Sequence, residues 1–297
     1  MHVIVALLKM GKRVASIDLD LDQETLTRYL DNRRSWAEEK QIVLEMPDHC
    51  SMADESRTVL QRSYAVDLAR FMSHLQTVEH DQIHDFIVID TPGGLQKLAV
   101  LAHGIADTIV TPINDSLLDL DVIVRIDRAD RVPRASNYAR MVARARQTRK
   151  KVCGRNTEWI VVRNRMSASS SRNERQVSDV LDYVREQFGF RTVPGLRERV
   201  IFRELFPAGL TVFDPIEIPN LDPEYLDAGL SARSEITQVL ADAGLLEAQS
   251  SAAIAAGDKE GSGGLGEALV RFAPPGMRAA AAGIRSRRAA SPRRRGS

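Results

Sequence analysis

Apolar and polar positions divide the first 245 residues into short apolar runs alternating with longer segments of helical period. Runs ending in or bounded by polar residues lie at 13–18, 85–90, 107–112 and 158–163, and Val and Ile dominate them. Short runs of this kind read as strands buried on both faces, as in a parallel sheet. Between them, residues 24–40 carry Leu26, Tyr29, Leu30 and Trp36 at helical spacing among charges, which predicts an amphipathic surface helix. Residues 54–80 repeat the pattern with Leu60, Tyr64, Leu68, Phe71, Leu75 and Val78, a stripe suited to core packing. Further helices are predicted around 95–103, at 171–188 with Val177, Leu181, Val184 and Phe188 inward, and at 231–245 with Ile236 and Leu240 inward. Residues 2–10 read as the end of a buried helix that stops at Gly11, with basic Lys12 and Arg13 behind it. Strands alternating with helices predict an α/β fold: a doubly wound, mainly parallel sheet with helices on both faces.

Composition adds little until charge is mapped. The 297 residues are 43% hydrophobic and 27% charged, enough for a normal core in one large domain or two small ones. The 41 basic and 40 acidic residues nearly cancel, yet residues 125–155 hold eleven Lys or Arg against Asp127 and Asp130 alone. A basic amphipathic helix there, with Met141, Val142 and Ala145 inward, presents either an ordinary solvated face or a site for a polyanion. In residues 193–206, Arg197, Arg199 and Arg203 flank an apolar core. Residues 1–246 form the predicted domain; from 247 to 297 the chain turns to Ala, Gly, Ser and Arg, which predicts a disordered tail. Cys50 and Cys153 have no metal-ligand spacing and suit a reducing cytoplasm. His80 and His84 share a helix face without a further ligand and read as surface residues. No apolar run reaches the roughly 20 residues of a membrane helix, and residues 1–10 lack the basic segment and cleavage site of a signal peptide.

The candidate chemistry sits at strand ends. The run before Asp90 delivers that carboxylate to the carboxyl end of a strand, where α/β sheets bind ligands, and Thr91, Pro92, Gly93 and Gly94 follow at once as a turn. An acid so placed can hold a metal or its water shell, and the glycines let backbone approach a phosphate. Taken alone, this is balanced by the plain reading of an Asp-initiated turn. A second strand, ending in Asp18, Asp20 and Asp22, tips the balance. Adjacent parallel strands would bring Asp18, Asp20 and Asp90 to one edge, and a divalent cation would relieve their mutual repulsion. A Mg²⁺-nucleotide site is therefore favoured.

With these segments in view, the chain resembles the ParA/MinD family of bacterial positioning ATPases, within it the MipZ type that places the division plane. The resemblance runs from about His2 to Leu245 and rests on residues 17–23, 31–36, 90–94, 111–116, 162–165 and 195–207. It implies a P-loop NTPase-like fold with ATP and Mg²⁺ as cofactors. It implies that Asp20 orients or activates the attacking water and that Asp18 and Asp90 serve the Mg²⁺ through its water. Thr91, Pro92, Gly93 and Gly94 would form the γ-phosphate switch, and Asn164 and Arg165 would contact adenine. Arg197, Arg199 and Arg203, with the basic 125–155 segment, would bind DNA non-specifically in an ATP-bound homodimer. A chromosome-partitioning or division protein would be the further partner, and the location would be cytoplasmic and nucleoid-associated.

One departure changes the expectation of activity. The phosphate loop of this family, Lys-Gly-Gly-x-Gly-Lys-Ser/Thr between the first strand and first helix, occurs nowhere in the chain. The expected fold thus lacks the first strand and the phosphate cradle, and the chain as written is expected not to hydrolyse ATP. A buried five-residue apolar strand is worth on the order of 10 kcal/mol, which makes a mis-assigned start or a fragment the favoured explanation over a working pseudoenzyme. Two alternatives remain: a nucleotide-independent regulator that binds DNA or a partner, and an ATP-dependent ligase on the same fold.

Overall fold

A computed structural model describes residues 1–52, 63–80, 83–126, 132–167, 172–215 and 223–245. Leu60, the start of the predicted 54–80 helix and the predicted tail lie outside these residues.

The order is α1 (His2–Lys9), β1 (Val14–Asp18), α2 (Thr25–Lys40), β2 (Asp48–Cys50), α3 (Tyr64–His80), β3 (Phe86–Asp90), α4 (Lys97–Ile105) and β4 (Thr108–Asn114). It continues with β5 (Val124–Ile126), β6 (Pro133–Ala135), α5 (Asn137–Cys153), β7 (Glu158–Asn164), α6 (Arg172–Phe188), β8 (Arg191–Val193), α7 (Ile201–Glu204) and α8 (Pro223–Asp242). The strands predicted from apolar runs are present within a residue or two at either end. The basic 125–155 segment is not one helix: it begins as the antiparallel β5–β6 hairpin before α5. Ser136 sets that boundary, because its hydroxyl accepts the Ala139 N–H at 3.0 Å and so caps α5, while Gly154 ends the helix with φ 70°.

The expected α/β architecture of parallel strands under helices is present, but not as one continuous sheet. Three strands run parallel in the order β2-β1-β3, and three more in the order β4-β7-β8. Among the described residues, β3 pairs only with β1 and β4 only with β7, so each keeps one edge without a ladder there. Both strands show the consequence in their burial. Every residue of β3 is half-buried or exposed, and Val110 of β4 is 45% exposed, where an inner parallel strand would be covered on both faces.

Helices span the junction that the strands do not. On one face, α1 sets Ile4 and Leu7 against Val14, Leu26 and Leu30, and turns Ala6 toward Ile236 and Leu240 of α8. On the other face, α4 contributes Leu98 and Ala102 to a core with Ile17, Phe71 and Leu75. α4 is tied to the second sheet by a chain of hydrogen bonds. The Trp159 Nε1–H donates to Thr111 Oγ1 at 3.0 Å, Thr111 and Tyr138 hydroxyls meet at 2.8 Å, and Tyr138 meets His103 Nε2 at 3.1 Å. His103 Nδ1 lies 2.6 Å from the Ala99 carbonyl, so each hydrogen in the chain has one acceptor if it runs from Trp159 to Ala99. Alternate residues of β7 divide the second core: Trp159 and Val161 face α5 and α6, while Ile160 and Val162 face Val239 of α8 and Ala243 just beyond it.

Two sequence expectations need correction. The 24–40 helix is not simply a surface helix, because Arg33 within it has no solvent exposure. His84 is not a surface residue either: its side chain is 5% exposed and its Nε2 lies 2.7 Å from Asp48 Oδ2. His80 is exposed, as expected.

Candidate functional site

β1 and β3 run parallel with Asp18 directly beside Asp90 in the register. Neighbouring strands lie about 4.8 Å apart, so the two carboxylates share one face at the carboxyl ends of both strands. The Leu19 N–H donates to the Asp90 carbonyl at 2.8 Å and extends the ladder one step past the acids. The register brings together Asp18 and Asp90, two of the three acids predicted to meet at one sheet edge; Asp20 lies beyond the end of β1.

Their surroundings differ. Asp18 is 2% exposed and its carboxylate is engaged on both oxygens. Oδ1 accepts the Asp20 N–H at 3.0 Å; Oδ2 accepts the Thr27 N–H and the Thr27 hydroxyl, each at 3.0 Å. A carboxylate has about four acceptor positions, so Asp18 is nearly saturated by the Asp20 backbone and the first turn of α2. Asp20 is half-buried; its Oδ1 accepts the Gln23 N–H at 3.1 Å and, more weakly, the Asp22 N–H at 3.4 Å. Those bonds shape the turn in which Glu24 takes φ 47° just before α2.

Asp90 is the open member of the group. One side of it meets solvent. Its pKa is nevertheless raised, first by the partial loss of hydration at the sheet end and then by the neighbouring Asp18 charge, with Asp20 adding to the effect. The Met1 ammonium and the Thr91 backbone oppose the rise. Beyond it, Thr91 is half-buried, Pro92 is buried, and Gly93 and Gly94 are exposed. A Cβ at Gly93 or Gly94 would meet nothing within 4 Å, and only Gly94, with φ 149°, uses a backbone conformation that other residues avoid.

The second predicted group forms around the end of β7. Asn164 is half-buried and its carbonyl accepts the Asp115 N–H at 3.1 Å. Arg165 is exposed, with the left-handed φ of 52°. Gly195 explains how the chain passes so close to this strand end. A Cβ there would fall 2.2 Å from Met166 Sδ and 2.8 Å from the Arg163 carbonyl. Without one, the Leu196 N–H donates to the Arg163 carbonyl at 2.8 Å and the Met166 N–H to the Leu196 carbonyl at 3.0 Å.

The three arginines expected to act together are not equivalent. Arg199 donates to Glu235 Oε1 of α8 at 2.6 Å and is 19% exposed in its side chain; Arg197 Nε lies 3.9 Å from the same oxygen. Arg203 is exposed and, among the described residues, has no ion-pair partner. In the 125–155 segment, Arg149 is buried and bonded to Asp107 and the Ala106 carbonyl, and Arg146 donates to the Thr157 and Gly189 carbonyls at 2.9 and 2.6 Å. Arg144, Lys150 and Lys151 are exposed on α5. The free positive surface is therefore smaller than the sequence count predicts.

Asp90, with Asp20 nearby, offers oxygens to a cation through its water. Among the described residues no three His, Cys, Asp or Glu side chains are grouped to ligate a metal directly. A nucleotide triphosphate does not fit these residues in the same way. The chain has no glycine-rich loop with a lysine and Ser/Thr, and the glycines it does place here face open space. Residues that sequence reasoning did not single out are Ser16, Thr27 and His49, which hold Asp18, and no local pattern marks them.

A family model described as ATPase MipZ matches residues 1–246. Comparison with curated protein sequences returns no match. Among solved structures, the MinC:MinD cell division protein complex of Aquifex aeolicus is 15% identical, covering 79% of this chain and 84% of that one at a TM-score of 0.44. A putative plasmid partition protein of Borrelia burgdorferi B31 bound to AMPPNP is 13% identical, covering 82% and 90% at 0.44. A ParA family ATPase of Chlorobium tepidum TLS is 12% identical, covering 80% and 84% at 0.38. Among the described residues, no helix is long and apolar enough to cross a membrane.

Proposed function

This chain belongs to the ATPase MipZ family, and we propose that it supplies the Mg²⁺-side acids of a nucleotide-dependent positioning ATPase of the ParA/MinD kind. The observation that carries this is the in-register pair of Asp18 and Asp90, with Asp90 open to solvent at the mouth of the sheet. In this reading Asp90 holds the water shell of Mg²⁺, Asp20 orients the attacking water, and Thr91 to Gly94 respond to the terminal phosphate. Asn164 and Arg165 contact the base. The ATP-bound form is a homodimer that holds DNA weakly and works with a chromosome-partitioning or division protein.

By itself the chain of 297 residues has no cradle for the β- and γ-phosphates, so it is proposed not to turn over ATP. The test has two arms. Phosphate release from Mg-ATP by the chain alone is expected to stay at background. Placing a family strand and glycine-rich lysine loop ahead of α1 is expected to produce Mg²⁺-dependent release that Asp90→Asn and Asp20→Asn each reduce by 10-fold or more, on the scale of about 10²–10⁴ for acid–base groups. Equal rates in a folded graft with and without Asp90→Asn would overturn the assignment.

A second reading, a DNA-binding regulator independent of nucleotide, draws on the exposed Arg203 and on Arg144, Lys150 and Lys151 of α5. It predicts retention on duplex DNA that falls with salt by a log–log slope of about −0.9 for each phosphate contact. Arg203→Ala should then lower retention more than Arg199→Ala, because Arg199 is already paired with Glu235. ATP should change neither value.

A further inference from the structure

Four side chains from three elements form a hydrogen-bond chain behind the acid pair. Ser16 Oγ, fully buried on β1, lies 2.9 Å from His49 Nδ1 on β2. His49 Nε2 lies 3.1 Å from Thr27 Oγ1 on α2, and that hydroxyl lies 3.0 Å from Asp18 Oδ2. The direction of every hydrogen follows from the last contact. The Thr27 hydroxyl donates to Asp18 Oδ2, so its single hydrogen is committed there. Thr27 Oγ1 can then only accept from His49, which places the ring hydrogen on Nε2. His49 Nδ1 is left with a lone pair, and the Ser16 hydroxyl donates to it. Each donor in the chain has one acceptor, with none left over.

We infer that His49 is a positioning residue for Asp18: through Thr27 it turns the carboxylate toward α2 and leaves Asp90 as the acid of the pair that faces a ligand. This rests on Asp18 and Asp90 belonging to the site proposed above. His49 does not touch the site itself. It acts because Thr27 contributes both its N–H and its hydroxyl to one oxygen of Asp18, and only a hydroxyl held from behind keeps that second bond in line. Burial lowers the pKa of the ring and outweighs the Asp18 and Asp31 charges and the Ser16 backbone, which raise it, while Arg34 adds to the lowering; the ring is therefore neutral near pH 7. The outer edge of β2 around His49 opens on a cavity of about 350 Å³ lined by Pro47, Cys50, Val78, Ile83 and His84.

The test uses the full chain without nucleotide. Nitrogen-15 NMR of the histidine side chains, with the His49 signals identified by their loss in His49→Gln, is expected to show the Nε2–H tautomer. Thr27 amide exchange is expected to rise at least tenfold in His49→Phe. In His49→Gln, whose amide can still donate to Thr27, it should stay close to wild type. The Ile17 amide of β1 serves as control and should be unchanged in both variants. A neutral Nδ1–H ring would overturn the inference, since Thr27 would then donate to His49 and lose Asp18. Unchanged Thr27 exchange in His49→Phe would do the same. If His49→Phe does not fold, the wild-type tautomer alone decides. No readout involves ATP, so failure of the nucleotide role leaves the relay standing, and failure of the relay leaves Asp90 in its proposed role.

Discussion

Arg33 and Asp214, 181 positions apart, form a bidentate ion pair with no solvent exposure on either side chain. The two bonds measure 2.7 and 2.6 Å. Arg33 also donates to the Glu45 and Gly209 carbonyls, and Asp214 accepts the Thr211 N–H and hydroxyl at 2.7 and 2.8 Å. The pair locks α2 against residues 209–214, beside the Tyr29 hydroxyl that donates to the Leu210 carbonyl at 2.6 Å. Asp214→Leu or Arg33→Met alone strands a buried charge and should cost about 3–5 kcal/mol of unfolding free energy in urea. The double change Arg33→Met with Asp214→Leu should recover most of that loss, and a loss equal to the sum of the singles would show that the pair has no such coupling.

Gly195→Ala should disturb the end of β7 without touching its core. The new methyl would enter space held by Met166 and the Arg163 carbonyl, and overpacking of this kind costs about 1–3 kcal/mol. Amide shift changes should concentrate at Asn164, Arg165 and Met166. Shifts spread evenly over β1 and β3 instead would contradict the local account.

Tyr138→Phe removes the middle of the Trp159–His103 chain and leaves the Thr111 hydroxyl and His103 Nε2 without their partner. A buried polar group so abandoned costs about 1–3 kcal/mol. Burial lowers the His103 pKa from its usual value of 6.5. A histidine with a depressed folded pKa stabilises the fold above the unfolded pKa, and that contribution is lost as pH falls from 6.5 through the folded value. Wild-type stability should therefore drop on acidification below about pH 6.5, and His103→Gln should flatten the drop. His84 works in the opposite sense: burial lowers its pKa, but Asp48 and the Val78 carbonyl together raise it above the usual value, so its contribution is present below 6.5 and is lost as pH rises through the raised value. His84→Gln should thus lower stability near pH 6 and matter little near pH 9.

Asp90→Asn should stabilise the chain when no nucleotide is bound. The raised pKa means that the folded state resists ionising this carboxyl, so its contribution is favourable below the unfolded value of 3.8 and is lost as pH rises through the folded one. The gain from Asp90→Asn should be present at pH 7 and absent at pH 3. Solvent reaches Asp90, so the gain should be small; an equal or lower midpoint in urea at pH 7 would remove the repulsion between Asp18 and Asp90 from the account.

Much of this molecule is legible from local pattern. Apolar runs of four to six residues located β1, β3, β4 and β7, because a strand buried on both faces needs no partner to announce itself in sequence. The acids at their ends could be paired on paper for the same reason: parallel strands that start level finish level. Short strands carried no such signal. β2 reads Asp-His-Cys, and β8 is equally brief, so their pairing with β1 and β7 depends on neighbours and not on their own period.

Charged residues mark where local pattern stops. Arg33 lies among Asp31, Asn32 and Arg34, and its neighbours in sequence predict solvent; only Asp214, supplied by a distant turn, makes its burial affordable. The same holds for Arg149 under Asp107, for Arg199 beside Glu235, and for Asp18 behind Thr27 and His49. Local spacing decided which residues stand on strands and helices and brought Asp18 and Asp90 to one end of a sheet. Tertiary contact decided which of those charges remain available, because the fate of a charge depends on the partner and water around it, and both are set by segments far away in the chain. Asp90 stays open and Asp18 is claimed by α2, a difference that two nearly identical strand ends did not disclose.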